Sequence, residues 1–210
     1  MTTQQSENKR KESRGEILNR FVVGRVKTLT EGLHSESSTA RSSLAVLRRS
    51  LSSPLEYQPQ VWSLIFDQFP RELEGPSDRP GVYENAAHIA LAFFALHQQS
   101  RDNAMHKSGE SFGQALQRLS WRSSDSQEKG IVRRFNTVIT AQTNDEVIHH
   151  MRGLIQQLRA AEIPLDYGQL ARDLVSLNYP ESARRTRLRW TRDFNRALEK
   201  TDVESETDQN

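Results

Sequence analysis

Hydrophobic side chains recur at helical spacing along most of this chain. From Arg14 to Leu29 the apolar residues stand three or four positions apart, and Gly32 with the serines after it ends that stretch. Similar stretches follow Thr39 and Pro59, and no segment alternates with a period of two over more than a few residues. Spacing of three and four residues is typical of one helix face, whereas alternation is typical of a strand. The pattern therefore predicts an all-α fold.

One segment between residues 82 and about 104 is apolar on nearly every side. Its run AAHIALAFFAL is shorter than the about 18 uninterrupted apolar residues that a membrane span requires. A helix that is apolar all round is instead covered by its neighbours in a globular core. The polar residues 100 to 110 follow as a loop. We place there the boundary between two small helical lobes, residues 14 to 104 and residues 111 to 200.

Polar pairs mark helix starts in the second half of the chain. Ser124 with Gln127, and Thr143 with Glu146, have the spacing of capping boxes, and Asp166 has the position of a further N-cap. Apolar residues at helical spacing follow each of these starts. We therefore predict three consecutive helices here. The arginines expected on their outer sides are Arg133, Arg134, Arg152, Arg159 and Arg172.

The last predicted helix, residues 180 to about 200, is strongly basic. A helical wheel aligns four arginines as one stripe, namely Arg185, Arg189, Arg192 and Arg196. The opposite side carries the apolar residues Ala183, Leu188, Trp190, Thr191, Phe194 and Leu198. Acidic partners at i±4 are nearly absent from the stripe, and like charges repel each other. The pattern favours a polyanionic partner, and a solvated face that keeps the protein soluble is the alternative.

Two features of this helix are open from sequence. Arg187 falls within the apolar arc, so it pairs with a buried acid or reaches a partner subunit. Trp190, Tyr179 and Trp121 have rings that can stack on nucleobases. Each ring also fits a helical core stripe, and the position of Trp190 beside Phe194 favours the core.

Charge is distributed unevenly along the 210 residues. Residues 14 to 110 carry 11 basic and 11 acidic side chains, whereas residues 111 to 200 carry 15 basic and 10 acidic ones. Arginine far outnumbers lysine, with 23 against 6, and its planar guanidinium suits phosphate oxygens. The polar ends, residues 1 to 13 and 201 to 210, are expected to be disordered. Absence of cysteine and of an apolar leader fits a cytoplasmic protein.

The sequence has no local signature of catalysis or of metal binding. His88, His97 and His106 are nine residues apart, and the adjacent His149 and His150 point about 100° apart on a helix, so neither set has metal-ligand spacing. Phosphate-cradling glycine loops and nucleophile elbows are also missing. We therefore predict no cofactor and no enzymatic activity. A nuclease or RNA-processing enzyme assembled from distant residues is a lesser alternative.

Several segments, in order, resemble a known family. They are TARSSLAVLRRS, AAHIALAFFALH, SGESFGQALQRL, VRRFNTVITAQTNDEVIHHMRGLI, LDYGQLARDLVSLN and RRTRLRWTRDF, and they cover most of residues 39 to 200. The chain is similar to the CasB family, the small subunit of the type I-E CRISPR Cascade surveillance complex. The shared positions are packing and basic residues. The resemblance implies an all-helical, non-catalytic protein of two small lobes with a basic surface.

The resemblance also implies partners and a role in antiviral defence. Two copies would lie head to tail in the complex, with CasA, CasC, CasD and CasE as the other subunits. Their basic surface would hold the R-loop, meaning the crRNA–target DNA heteroduplex and the displaced non-target single strand. The basic positions that match the family are Arg48, Arg49, Arg133, Arg134, Arg152, Arg172, Arg184, Arg185 and Arg187. Arg189, Arg192 and Arg196 are added from the helical wheel.

A free-standing DNA-binding regulator is the alternative function. The helix before residue 178, the Asn-Tyr-Pro turn and the arginine-rich helix have the outline of a helix-turn-helix. The basic stripe runs along the whole last helix and is not concentrated at its start, which departs from that motif.

Overall fold

The structure, a computed structural model, describes residues 12–196. Within that range the chain forms nine α-helices and no strand, apart from one isolated bridge between His106 and Leu165, so the predicted all-α fold is confirmed. Two short 3-10 turns, Leu55–Tyr57 and Arg71–Leu73, flank the third helix. The helices are α1 (Arg14–His34), α2 (Ser38–Ser50), α3 (Pro59–Phe66), α4 (Val82–His97), α5 (Phe112–Trp121), α6 (Asp125–Thr140), α7 (Asn144–Ala160), α8 (Tyr167–Ser176) and α9 (Pro180–Asn195).

Helix boundaries follow the predicted caps closely. The capping boxes before α6 and α7 are present, and the side chain of Asp166 accepts a hydrogen bond from the backbone N–H of Gln169 at 2.9 Å. The central helix is shorter than expected, because α4 ends at His97. The expected tails fall largely outside the described residues, as does the predicted end of the last helix at Lys200.

Helix α4 forms the centre of the core. Twelve of its sixteen residues are buried, and Phe93 and Phe94 are fully inaccessible to solvent. It packs against α1, α2, α3, α7 and α8, as its all-round apolar character predicts. Across residues 12–196 no helix has both the length and the apolar character to cross a membrane.

Helix α8 joins the two ends of the chain. Although it follows residue 166, its main contacts are with α1 and α4, and it also touches α9. The approach to α1 is close, since a Cβ on Gly168 would lie 2.5 Å from Asn19 Nδ2 and 2.8 Å from Val23 Cγ2. One hydrophobic cluster includes residues from both sides of the loop at 100–110. The division into two lobes stays a prediction.

Helix α9 lies directly on α5. The rings of Phe112 and Trp190 meet edge to face with centroids 5.1 Å apart. Gly113 permits this approach, because a Cβ there would overlap the carbonyl oxygen of Trp190 and lie 2.7 Å from Asp193 Cβ. This contact sets which side of the arginine-rich helix faces the interior.

Candidate nucleic-acid interface

The inner side of α9 is more polar than its sequence pattern predicts. Trp190 is fully buried, which confirms its predicted place in the core. Asp193 is also buried and accepts a hydrogen bond from Ser111 Oγ at 2.7 Å. Leu188, expected to pack, is 48% exposed, so the prediction is wrong there, because no helix among the described residues covers this side chain. Leu198 lies outside the described residues.

Arg189 is bound to an acid of a neighbouring helix. Its guanidinium donates to the carboxylate of Asp173 on α8, although the side chain stays 44% exposed. Asp173 is buried and also accepts hydrogen bonds from Trp190 Nε1 and Gln169 Nε2, both at 2.7 Å. Burial raises the pKa of Asp173 above its usual value, while these donors act in the opposite direction. A helical wheel of α9 could not reveal this pair, because the acidic partner of Arg189 belongs to α8.

Arg187 has a structural contact that neither explanation from sequence anticipated. Its Nη2 donates to the backbone carbonyl of Ala141 at 2.7 Å, immediately after the C-terminus of α6. Within residues 12–196 it forms no ion pair with a buried acid. Because the last carbonyls of a helix lack intrahelical partners, this bond anchors the end of α6 to α9.

The remaining arginines of α9 face solvent. Arg184 lies 3.7 Å from Glu181 and Arg196 lies 4.0 Å from Asp193, with arginine side-chain exposures of 80% and 68%. Exposed pairs of this kind contribute little to stability. Arg185 contacts Ser182 Oγ at 3.4 Å, and Arg192 is exposed with no ion pair to any described carboxylate. These four arginines are therefore exposed on the surface of α9, as the sequence pattern predicted.

Arginines on the neighbouring helices are also outward. Arg133 and Arg134 on α6, Arg152 on α7 and Arg172 on α8 are exposed, as expected, and none forms an ion pair within the described part of the chain. Arg152 lines the edge of a cleft of about 530 Å³ between α2, α4, α7 and α8. Arg172 lies beside the start of α1, where its Nε is 3.6 Å from the position of a Cβ on Gly15.

The basic residues of α2 occupy different environments. Arg49 is exposed, whereas Arg48 is half-buried and borders a groove that also contains Arg41. Burial, followed by the charges of Arg49 and Arg159, lowers the pKa of Arg48. Sequence reasoning did not include Arg41 or Arg159 among the candidate binding residues. The i, i+7 spacing of Arg41 and Arg48 could have identified Arg41 from the sequence. The proximity of Arg159 to Arg48 depends on helix packing and could not.

The buried histidines are tied into the core. His88 Nε2 is 2.7 Å from Ser50 Oγ, and His97 Nδ1 is 2.8 Å from the hydroxyl of Tyr167. Burial lowers the pKa of each histidine from 6.5 to about 4, so both are neutral at physiological pH. No group of three histidine, aspartate or glutamate side chains in the described residues has the arrangement of a metal site.

Two of the three candidate stacking rings are accessible. Trp121 is 59% exposed at the end of α5, and Tyr179 is 49% exposed immediately before α9. Part of each side chain is therefore accessible to a partner.

Comparisons with known proteins agree with this architecture. The profile of the family described as CRISPR-associated protein Cse2 matches residues 43–194. The crystal structure of CasB from Thermobifida fusca is 34% identical, with a TM-score of 0.73 over 86% of this chain and 98% of that one. No curated protein sequence matches the chain.

Two further solved structures share the fold. A Cse2-family CRISPR-associated protein from Thermus thermophilus is 22% identical, with a TM-score of 0.63 over 87% of this chain and 98% of that one. CasB from M. ruber is 22% identical, with a TM-score of 0.59 over 89% of this chain and 98% of that one. The resemblance inferred from the ordered segments is thus confirmed, and the chain belongs to the CRISPR-associated Cse2 (CasB) family.

Proposed function

We propose that this protein is a non-catalytic small subunit of a type I-E CRISPR Cascade complex, in which it stabilises the R-loop. Its partners are the other Cascade subunits, namely CasA, CasC, CasD, CasE and a second copy of itself. Its ligands are the crRNA–target DNA heteroduplex and the displaced non-target strand. The family supports membership of the complex, and the arrangement of arginines supports the nucleic-acid role.

One observation carries the proposal, which is the set of outward arginines without carboxylate partners on consecutive helices. Arg133, Arg134, Arg152, Arg172 and Arg192 are exposed and form no ion pair within residues 12–196. Residues that only keep a helix soluble are usually interspersed with acids at i±4. A run of unpaired guanidiniums instead suits phosphate oxygens, which accept two N–H bonds from one fork.

The mechanism follows from the energetics of strand exchange. R-loop formation replaces a DNA duplex with a heteroduplex of similar stability, so backbone contacts of modest strength decide the direction. A flexible displaced strand returns to its complement unless a cationic groove follows it. Contacts with phosphate carry no base sequence, so this binding is independent of the target sequence and sensitive to salt.

Charge reversal in a reconstituted Cascade tests the proposal. The double variant R133E/R134E should assemble normally but lose R-loop locking at physiological salt, and R185E should weaken it in the same direction. The matched control is R71E/R79E, which changes the net charge equally at two exposed arginines outside the proposed surface.

Locking, measured by protection of the displaced strand from reannealing, distinguishes the outcomes. If R133E/R134E locks the R-loop as well as R71E/R79E does, the proposed surface is wrong. If the isolated protein protects a defined operator sequence in a footprint, the regulator hypothesis replaces the proposed function.

A further inference from the structure

The exposed arginines of α6 lie beside the C-terminal end of α9. The ring of Phe194, near that end, stacks on the ring of Phe135 in α6, with centroids 4.5 Å apart. Arg133 and Arg134 directly precede Phe135, so they lie within one helical turn of this contact. Together with Arg192 they form the α6–α9 arginine surface. None of these three arginines has an ion pair with a carboxylate of residues 12–196.

The chain leaves α9 at this same place. The helix ends at Asn195, and the backbone of Arg196 is extended, with φ −69° and ψ 131°. Residues 197–210 therefore begin beside the α6–α9 arginine surface. An extended chain can place Asp202 about 20 Å and Asp208 about 40 Å from Arg196. Helix α6 has 16 residues and is about 24 Å long, so this segment can reach every arginine of the surface.

Residues 201–210 carry four carboxylates and no basic side chain. The acids stand at every second position, namely Asp202, Glu204, Glu206 and Asp208. An extended chain directs alternate side chains to one side, so these carboxylates would form a single row with a spacing of about 6.6 Å. A helix would instead bring them together as like-charged i, i+4 pairs, which repel each other. A regular row of anions is also what guanidinium groups meet along a nucleic-acid strand.

We propose that residues 201–210 lie across the α6–α9 arginine surface of their own chain in the free protein, and that nucleic acid must displace them to bind there. A short tether keeps the effective concentration of the segment on the order of millimolar. Exposed ion pairs are nevertheless weak one by one, so a longer polyanion displaces the segment. The free subunit is thereby kept off unrelated nucleic acid. The competition rests on the proposed function, whereas the contact itself requires only the charges.

A spin label on the acidic segment tests the contact without nucleic acid. The chain has no cysteine, so S205C carries the label at one position between the acids. We expect paramagnetic loss of the backbone amide signals of Arg133, Arg134 and Arg192 in the isolated full chain. The loss should largely disappear at about 1 M salt, where the Debye length is about 3 Å.

A neutral segment of the same length is the matched control. The neutral-segment variant, D202N/E204Q/E206Q/D208N, retains the loss of signal that the tether alone causes, and it should lack the additional loss at the α6–α9 arginine surface. Equal losses with the charged and the neutral segment overturn the proposal. An equally large loss at Arg71 and Arg79 also overturns it, because these exposed arginines lie outside the surface and the segment would then follow any cation.

A mixed sample separates contact within one chain from contact between copies. Spin-labelled protein is combined with isotope-enriched protein that carries no label, and the amide signals of the enriched protein should keep their full intensity. Loss of signal in this mixture would place the segment on a second copy, which overturns the contact within one chain.

Single-stranded DNA tests the competition. An excess of dT oligomer should restore the amide signals of Arg133 and Arg134, and signals that stay weak overturn the competition. The neutral-segment variant should bind the oligomer about tenfold more tightly than the wild type, because several exposed ion pairs no longer compete.

A second variant separates competition from net charge. E36Q/E72Q/E74Q/D78N removes the same number of carboxylates at exposed positions outside the surface, and it should bind the oligomer as the wild type does. Equal tightening in both variants means that net charge alone acts, which overturns the competition. Because the first spin-label measurement contains no nucleic acid, wild-type R-loop locking by R133E/R134E would refute the proposed function and leave the contact standing.

Discussion

Arg189 of α9 donates to the carboxylate of Asp173 of α8, and the same carboxylate accepts the indole N–H of the fully buried Trp190 at 2.7 Å. One acid thus connects the basic helix to the core through two adjacent residues. The charge of Arg189 is paired within the protein. Counting the cations on a helical wheel therefore overestimates the number of arginines available to bind a partner.

Removal of this acid should cost much of the stability of the protein. In D173A the indole N–H of Trp190 and the guanidinium of Arg189 lose their acceptor, and we expect a loss of about 3 kcal/mol in the free energy of unfolding, as for other broken buried pairs. Urea denaturation followed by circular dichroism measures it. R189Q should lose less, and R185Q, on the exposed side of the same helix, should unfold like the wild type. Equal effects of R189Q and R185Q would contradict the buried pair.

Alanine substitutions at two glycines should have opposite effects, because Gly113 lies at the close contact of α5 with α9 whereas Gly153 in α7 has free space around it. G113A places a methyl group against the carbonyl oxygen of Trp190 and 2.7 Å from Asp193 Cβ, so α5 must shift and stability should fall by about 1–3 kcal/mol. G153A in α7 meets nothing within 4 Å and should gain about 0.5–1 kcal/mol from higher helix propensity. Melting temperatures of both variants check the pair, and a stabilised G113A would contradict the packing of α9.

The two buried histidines predict acid sensitivity. Since the folded pKa of His88 and of His97 is about 4 and the ordinary value is 6.5, the unfolded chain binds more protons between these values. Their contribution is complete above about pH 6.5 and is lost as the pH falls towards 4, by up to about 3 kcal/mol for each histidine. Urea unfolding from pH 7 to 4.5 measures the slope. H88Q should flatten the slope, whereas H34Q, at an exposed position, should leave it unchanged.

An exposed ring offers a test of base stacking. Trp121 is 59% exposed, so W121A should fold normally, yet it should weaken binding of single-stranded DNA by Cascade by about 1–3 kcal/mol if a base stacks there. Trp62 provides the control, because it is 42% exposed but its Nε1 donates to the carbonyl of Leu55 at 2.9 Å. W62F should bind as the wild type does. Unchanged affinity of W121A would remove this ring from the interface.

The phosphate contacts should also be visible in the salt dependence. Each phosphate that is neutralised contributes about −0.7 to the log–log slope for single strands, so R133Q/R134Q should make the slope of a Cascade-bound displaced strand shallower by about 1.4. The R71Q/R79Q variant should keep the wild-type slope. A parallel loss of affinity at every salt concentration, with the slope unchanged, would mean that these arginines act on folding or assembly.

Local features of the fold were predictable from sequence. Ser124 and Gln127 are three residues apart, so the cap they form depends on nothing beyond its own turn. The burial of Trp190 followed from helical spacing alone. Contacts between different helices could not be predicted from spacing within one helix. The partner of Arg189 lies sixteen residues away on α8, and Leu188 is exposed because none of the helices between residues 12 and 196 covers it.

Among the candidate binding residues too, features set by one helix were predictable, whereas contacts between helices were not. Exposure of Arg133 and Arg134 follows from the period of α6, and the structure agrees. Arg187 bonds to Ala141 because α6 ends beside α9, which no spacing within either helix reveals. Arg41 borders a groove formed by α1, α2 and the turn after α4. Arg159 of α7 comes near Arg48 of α2 only when the helices pack, so the sequence does not reveal this proximity.

The position of α8 has a consequence for synthesis on the ribosome. Its contacts with α1 join segments about 150 residues apart in the chain, and Gly168 fits directly against Asn19 and Val23. Such distant contacts form slowly, because a long loop must close before they are made. While the nascent chain is being extended, α2 and α4 can already pack against α1, but the part of α1 that contacts α8 has no cover until α8 has left the exit tunnel. A chaperone or an early-bound neighbour in the assembly is therefore most useful to this protein during that interval.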